Sequence, residues 1–415
     1  MRVSQNQYAI ESEIGSLFIE THEFSDAQGK TAYRSSGNFL PEKAPKERFR
    51  SARYKELEYD FAATLSYRDT ARSLNRIRLQ DNGATPTTVR NQTERDGIAI
   101  QETKMAKALV AFCEHGFEVN GLKKPETTID FSKATLKTAD SNAVSGAGRK
   151  LGILAQETDY EALGSAVNIS VDEVCCKQQS SKRPCLNREN EPKQLRNTVV
   201  HVQYGSKGYV LAGETVQAAI RLLLGFLLTN GLLGAYPLVF FADGARNIKN
   251  TIEDYFSFSQ YKYILDWPHL TKKTAELLSS AILGKDKRNE IHEKLKQFLW
   301  RGDVVQALAF LDTLPEDYIK SAKWISHLKT YLEVNRDNIP CYAIRKELGL
   351  RVSSNIGEKA NDIVVSRRQK HNGMAWSNVG SFGLASVAVS HTNSELSPWL
   401  HKHSVRFAFT DANAA

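Results

Sequence analysis

Apolar and polar positions divide the chain into a helical N-terminal part, a strand-rich middle, and a second helical stretch that precedes one further helix. From Glu42 to Gln101 the apolar residues recur at helical spacing in short runs. The run Tyr54–Phe61 predicts a helix ending near Leu65. Ser66-Tyr67-Arg68-Asp69 resembles a capping box with Asp in the fourth place and opens a second helix reaching Asn75 or Leu79. After the turn Asp81-Asn82-Gly83, Thr85 followed by Pro86 is an N-cap with proline at the first helical position, and it predicts a third helix through Arg95. Helix, turn, helix is the pattern, with Thr87, Thr88, Arg90 and Asn91 near the start of the third helix, side-chain types that reach base edges and phosphates in a major groove. Another helix is predicted from Met105 to His115, and Lys133 to Arg149, rich in small and polar residues, reads as a linker.

From Gly164 the order of elements becomes specific. Ala166–Val174 alternates as a strand carrying Asp172, and Thr198–Tyr204 and Gly208–Leu211 flank Gly205-Ser206-Lys207 as a hairpin. A helix follows over 215–229, a turn over 230–236 and an apolar strand over 237–242 that ends at Asp243. A helix from Arg246 and the strand Tyr261–Leu265, ending at Asp266, complete the order β-β-β-α-β-α-β, which predicts a mixed α/β sheet. Residues 269–350 carry helical periodicity almost throughout. Ser353-Ser354-Asn355 then offers N-cap formers ahead of a helix bearing Glu358, Asp362 and Gln369.

Composition and charge narrow the function classes. At 415 residues the chain is long enough for two or three domains, and 41% hydrophobic with 25% charged residues excludes wholesale disorder. The cysteines Cys113, Cys175, Cys176, Cys185 and Cys341 contain no C-x-x-C pair, and the adjacent Cys175 and Cys176 point to opposite strand faces. No disulfide framework or zinc site is expected, and a cytoplasmic location fits best. Glu11 and Glu13 occupy the place where a signal peptide needs an apolar run. The uncharged stretch Leu222–Ala242 is punctuated by Gly225, Asn230, Gly231, Gly234 and Pro237, so no membrane span is expected. The net charge of +8 is concentrated in 41–100, 175–210 and 345–372, the distribution a polyanion partner requires, because each neutralised phosphate releases counterions.

Cleavage of a phosphodiester by in-line attack is served by two divalent ions, and such ions want hard oxygen ligands from several converging carboxylates. Asp172 on the first strand, Asp243 at the carboxyl end of the fourth and Glu358 at the start of a late helix have the right types in the right order. A half-buried carboxylate among β-branched neighbours, as at Asp172, is costly unless paired or metal-bound.

The runs FADGARNIKNTIEDYF (241–256), YILDWPHLTKKTAELL (263–278) and RVSSNIGEKANDIVVSRRQKHNGMAWSNVGSFGLA (351–385) resemble bacterial insertion-sequence transposases of the DDE class. Asn247, Pro268 and Ile356 depart from the pattern. The resemblance implies an RNase-H-like core whose catalytic, metal-binding triad is Asp172, Asp243 and Glu358, with Asp266, His269 and Asp362 as auxiliary residues near the site. It further implies two Mg²⁺ or Mn²⁺ ions, double-stranded DNA as element ends and target, and a homo-oligomer in the active complex. Trp376 is implied to face DNA, and Arg367, Arg368 and Lys370, with Lys177, Lys182 and Arg183 after the first core strand, read as phosphate contacts. The expected organisation is an unassigned segment 1–40, a helical DNA-binding module 41–132, a linker 133–163, a core split into 164–268 and 351–415, and an all-helical insertion 269–350. The alternative is a non-catalytic, sequence-specific DNA-binding protein derived from a transposase.

Overall fold

Hydroxyl side chains begin the N-terminal helices. Ser51 accepts from the Tyr54 amide at 3.0 Å ahead of α1 (Ala52–Ala62), and Ser66 from the Asp69 amide at 3.1 Å ahead of α2 (Tyr67–Ile77). Thr85 accepts from the Thr88 amide at 3.2 Å ahead of α3 (Pro86–Glu114). Each cap satisfies a first-turn amide that has no intrahelical acceptor. The helices expected over 87–95 and 105–115 are one continuous α3 of 29 residues. Gly97 does not interrupt it, because its missing side chain serves packing: a Cβ there would lie 2.0 Å from the carbonyl oxygen of Gly383 in the helix Asn378–Thr392.

The computed structural model describes residues 2–409 apart from 30, 35–48, 81–82, 125–126, 136, 138, 155–159, 163–164, 180–193 and 371–372. Two units make up the chain, Met1–Thr103 with Lys177–Lys193 and Arg367–Arg406, and Lys104–Cys176 with Gln194–Ser366 and Phe407–Ala415. In the first, the segment left unassigned by the sequence contains a sheet. β1 (Arg2–Ser12) and β2 (Gly15–Ser25) form an antiparallel hairpin closed at Ser12↔Gly15, and β3 (Thr31–Arg34) and β4 (Phe49–Arg50) flank it in the order β3-β2-β1-β4. α1, α2 and the start of α3 share a core of Tyr54, Ala62, Ala71, Leu74 and Val89.

The second unit holds the mixed sheet. Within the expected linker lies α4 (Ser141–Leu151), capped by Asp140, because Val144, Ala147 and Leu151 form an apolar stripe that packs on Ile344. The strands β5 (Val167–Lys177), β6 (Gln194–Tyr204), β7 (Lys207–Gly213), β8 (Leu238–Ala242) and β9 (Tyr261–Leu265) stand in the order β7-β6-β5-β8-β9. β6 and β7 pair antiparallel, whereas β5, β8 and β9 are parallel. The connecting helices are α5 (Val216–Thr229) and α6 (Arg246–Phe256). All five residues of β8 are buried, as parallel strands covered on both faces require. Phe240 packs on Phe256 of α6, while Val239 and Phe241 join the cluster formed by the helices that follow.

Those helices are α7 (Trp267–Ala281), α8 (Lys285–Trp300), α9 (Val304–Asp312), α10 (Ala322–Val334) and α11 (Tyr342–Glu347). Their buried Leu278, Leu295, Leu299, Leu328 and Leu332 belong to one cluster with Val239, Phe241 and Ile264 of the sheet. The all-helical stretch is therefore not a separate domain but the cover of one sheet face. α12 (Asn355–Asn361) returns the chain to the sheet and runs into a π-helical turn, Asp362–Ser366. Among the described residues no helix is long and apolar enough to cross a membrane.

Candidate active site

Strand register decides which carboxylates meet. β5 pairs with β8 as Ile169↔Phe240 and Ser170↔Phe241, and β8 with β9 as Phe241↔Ile264 and Ala242↔Leu265. Carried past the last paired residues, the same register sets Asp172, midway along β5, abreast of Asp243 and Asp266, which lie just past the carboxyl ends of β8 and β9. Neighbours in such a row are roughly 4.8 Å apart along the hydrogen-bonding direction. This edge is where open α/β sheets collect ligands.

Each carboxylate is held differently. Asp243 accepts from the Ala245 amide at 2.8 Å, making the turn between β8 and α6. Asp266 is fully buried; one oxygen takes the His269 amide at 3.2 Å and His269 Nδ1 at 2.7 Å, and the other takes the Ser354 amide just ahead of α12. Asp266 thus caps α7, fixes the imidazole and anchors the helix bearing Glu358. Gly357 allows α12 to lie against β5, since a Cβ there would stand 2.6 Å from Ser170 Cβ. At that approach Asn361 Nδ2 donates to Asp172 Oδ2 at 2.5 Å, and Asn361 Oδ1 is buried without a partner.

Among the described residues, Asp266, His269 and Glu358 form the group whose potential ligand atoms all lie within 4.8 Å of one another. Glu358 therefore meets the pair expected to be auxiliary, while Asp172 and Asp243 adjoin it through the strand row and through their charges. Asp362 is exposed on the π-helical turn. Asn361 carried no sequence signal, being an amide inside a helix, and only the approach at Gly357 makes it visible.

Electrostatics couples these groups. Burial raises the Asp172 pKa to about 6; the charges of Asp243 and Asp266 push the same way, against the pull of His269. The hydrogen bond to Asp266 raises His269 to about 9 in spite of burial, with the charges of Asp266, Asp172 and Asp243 adding to it. A raised carboxyl pKa stabilises the fold below its unfolded value and loses that contribution as pH rises through about 6, so ionised Asp172 is a cost at neutral pH that a bound cation would offset. Were Asp172 to ligate a divalent ion, Mn²⁺ affinity measured by calorimetry would fall about tenfold per pH unit below about 6, where Asp172 would have to release a proton to bind. A pH-independent affinity between 5 and 7 would remove Asp172 from the site.

The nucleic-acid candidates separate by exposure. Thr87, Thr88, Arg90 and Asn91 are exposed on α3, as are Lys177, Arg367 and Lys370, whereas Lys182 and Arg183 lie outside the described residues. Arg368 is 4% exposed and Trp376 7%. The Arg368 guanidinium donates to the Ala62 carbonyl at 3.3 Å and lies 5.0 Å from the Tyr67 and Trp376 ring centroids, and the Trp376 indole donates to the Gln369 carbonyl at 3.1 Å. Both are occupied by packing within the first unit, because a buried cation needs acceptors and aromatic faces around it. They still line a cavity of about 480 Å³ with Ser66, Arg90 and Glu94. The basic window 345–372 is likewise not all surface: Arg345 is fully buried against Glu161. No family model matches the chain, and no curated protein matches it.

Proposed function

We propose that the protein is a DNA transposase of the DDE class, which hydrolyses a phosphodiester at each end of a mobile element and then joins the freed 3′-hydroxyl to target DNA. The observation that carries this reading is the row Asp172, Asp243 and Asp266 across three adjacent parallel strands, met by Glu358 beside Asp266 and His269. The order β5-β6-β7-α5-β8-α6-β9, followed by helices and then by α12, supports an RNase-H-like core.

The donor set fits hard divalent ions. Asp172, Asp243 and Glu358 supply carboxylate oxygens, and the buried Oδ1 of Asn361 is a carbonyl oxygen still without a partner. Mg²⁺ or Mn²⁺ held there would neutralise charge on the phosphate and lower the pKa of bound water. Asp266 holds His269 charged at neutral pH, leaving the other ring nitrogen to donate a proton toward the cleft. Water and then the 3′-hydroxyl serve as nucleophiles, so no covalent protein–DNA intermediate is needed. The exposed start of α3 is assigned to recognition of the element ends, and pairing two ends calls for a dimer or larger assembly.

Purified protein with duplex DNA carrying an element end is expected to nick that end in Mg²⁺ or Mn²⁺ and not in chelator. Binding without any cut would favour a DNA-binding protein that has lost catalysis. Cutting without preference for ends would make it a general nuclease.

A further inference from the structure

The cleft beside Asp243 has a second wall that metal-assisted cleavage does not use. The cavity there, about 430 Å³, is lined by Asp243 and Gly244 after β8, by His269, Lys272 and Lys273 along one face of α7, and by Tyr331. The lysines stand on the second turn of α7, exposed, and Tyr331 comes from α10, the helix that packs along α7. The Tyr331 hydroxyl is buried and makes no hydrogen bond. It lies 4.0 Å from where a Cβ on Gly244 would stand, and Gly244, at φ +80°, is the residue next to Asp243. A second phenol, Tyr263 on β9, is also buried, faces the Gly244 backbone and lies within electrostatic reach of both Tyr331 and Asp243.

A buried hydroxyl left unpaired is costly, so it is retained where an acceptor arrives from outside. Asp243 already accepts from the Ala245 amide. What the Tyr331 hydroxyl lacks is an acceptor, and the ammonium groups of Lys272 and Lys273 line the same cavity. Glu276 and Asp243 line the same cavity and balance the two lysines, and His269, held charged by Asp266, leaves the cations one in excess. A non-bridging phosphate oxygen is an acceptor for the phenol and a counter-ion for a lysine, which binds phosphate as a point charge.

We propose that Tyr331, Lys272 and Lys273 form a phosphate subsite that holds a backbone phosphate adjacent to the one cleaved at Asp243. The inference rests on the phosphodiester-cleaving reading, and it gives the helical cover of the sheet a direct part in gripping DNA.

The test uses the full chain, element-end duplexes carrying single methylphosphonates around the cut position, and Ca²⁺ to read binding without cleavage. Tyr331→Phe keeps the ring in its packing and should leave Mn²⁺ affinity and the melting temperature unchanged, while KM for the end duplex rises about tenfold with kcat within about twofold. One methylphosphonate position should weaken wild-type binding about tenfold and Tyr331→Phe binding no further. Lys272→Gln with Lys273→Gln should reduce the salt dependence of binding by one to two phosphate contacts. A Tyr331→Phe protein with unchanged KM, or one equally sensitive to every neutralised phosphate, overturns the subsite. If wild type never cuts but the Tyr331-dependent loss at one phosphate persists in Ca²⁺, the subsite stands and the cleavage reading falls.

Discussion

Asp243→Asn is expected to reduce metal-dependent nicking by at least about 1,000-fold, roughly 4 kcal/mol of transition-state stabilisation, while binding of the end duplex stays within about threefold. The asymmetry follows from what Asp243 does in the fold. Its contact with its own segment is one oxygen accepting from the Ala245 amide at 2.8 Å, and an asparagine carbonyl can accept the same bond, so the turn from β8 into α6 should survive. What asparagine cannot supply is the negative charge that Asp172 and His269 both feel. Two readouts therefore accompany the loss of nicking: a melting temperature near wild type, and weakened Mn²⁺ binding by calorimetry. Nicking within tenfold of wild type would show that Asp243 takes no part in the chemistry, and the row of carboxylates would have to be structural.

That row was readable in outline before any coordinates. Asp243 follows the apolar run Leu238–Ala242 and Asp266 the strand Tyr261–Leu265, apolar but for Lys262, and a charge at the buried end of a strand has few places to go. The sequence could not supply register. Whether Asp172 stands abreast of Asp243 depends on Ser170 pairing with Phe241, and a slip of one residue would turn its side chain to the other face. Nor could it show that Glu358 meets Asp266 and His269, because that depends on Gly357 pressing against Ser170. The β1–β2 hairpin escaped for a different reason: Ser, Gln, Asn and Glu occupy most positions of β1, so no alternating apolar face marks it. Charge windows misled in part because linear density is not surface density. Arg78 is buried against Glu11, and Arg345 and Arg368 are buried as well, so part of the apparent polyanion face is internal framework.

Arg345 carries the second large effect. Its guanidinium is fully buried and bonds Glu161 bidentately at 2.7 and 2.6 Å, and Nε donates to the Arg351 carbonyl at 2.8 Å. Arg345→Met leaves the Glu161 carboxylate buried and alone, and is expected to cost about 3–5 kcal/mol in urea unfolding at pH 7. Replacing both partners, Arg345→Met with Glu161→Leu, removes the orphaned charge as well and should recover most of that loss, because a buried pair is often no better than a well-packed apolar one. Burial pushes the Glu161 pKa up, but the hydrogen bonds and charge of Arg345 outweigh it and hold the group below its ordinary 4.5. A depressed carboxyl pKa stabilises the fold above the unfolded value and loses that contribution as pH falls through the folded one. The wild type should thus lose stability on acidification below about pH 4.5 more steeply than the double variant, which lacks this carboxylate. The two proteins acidifying in parallel would mean that the pair contributes nothing there. Because the Arg351 carbonyl lies three residues before Ser354, where Asp266 takes hold, the single variant should also loosen the approach to α12 and weaken Mn²⁺ binding, an effect that reaches the carboxylate row without touching it.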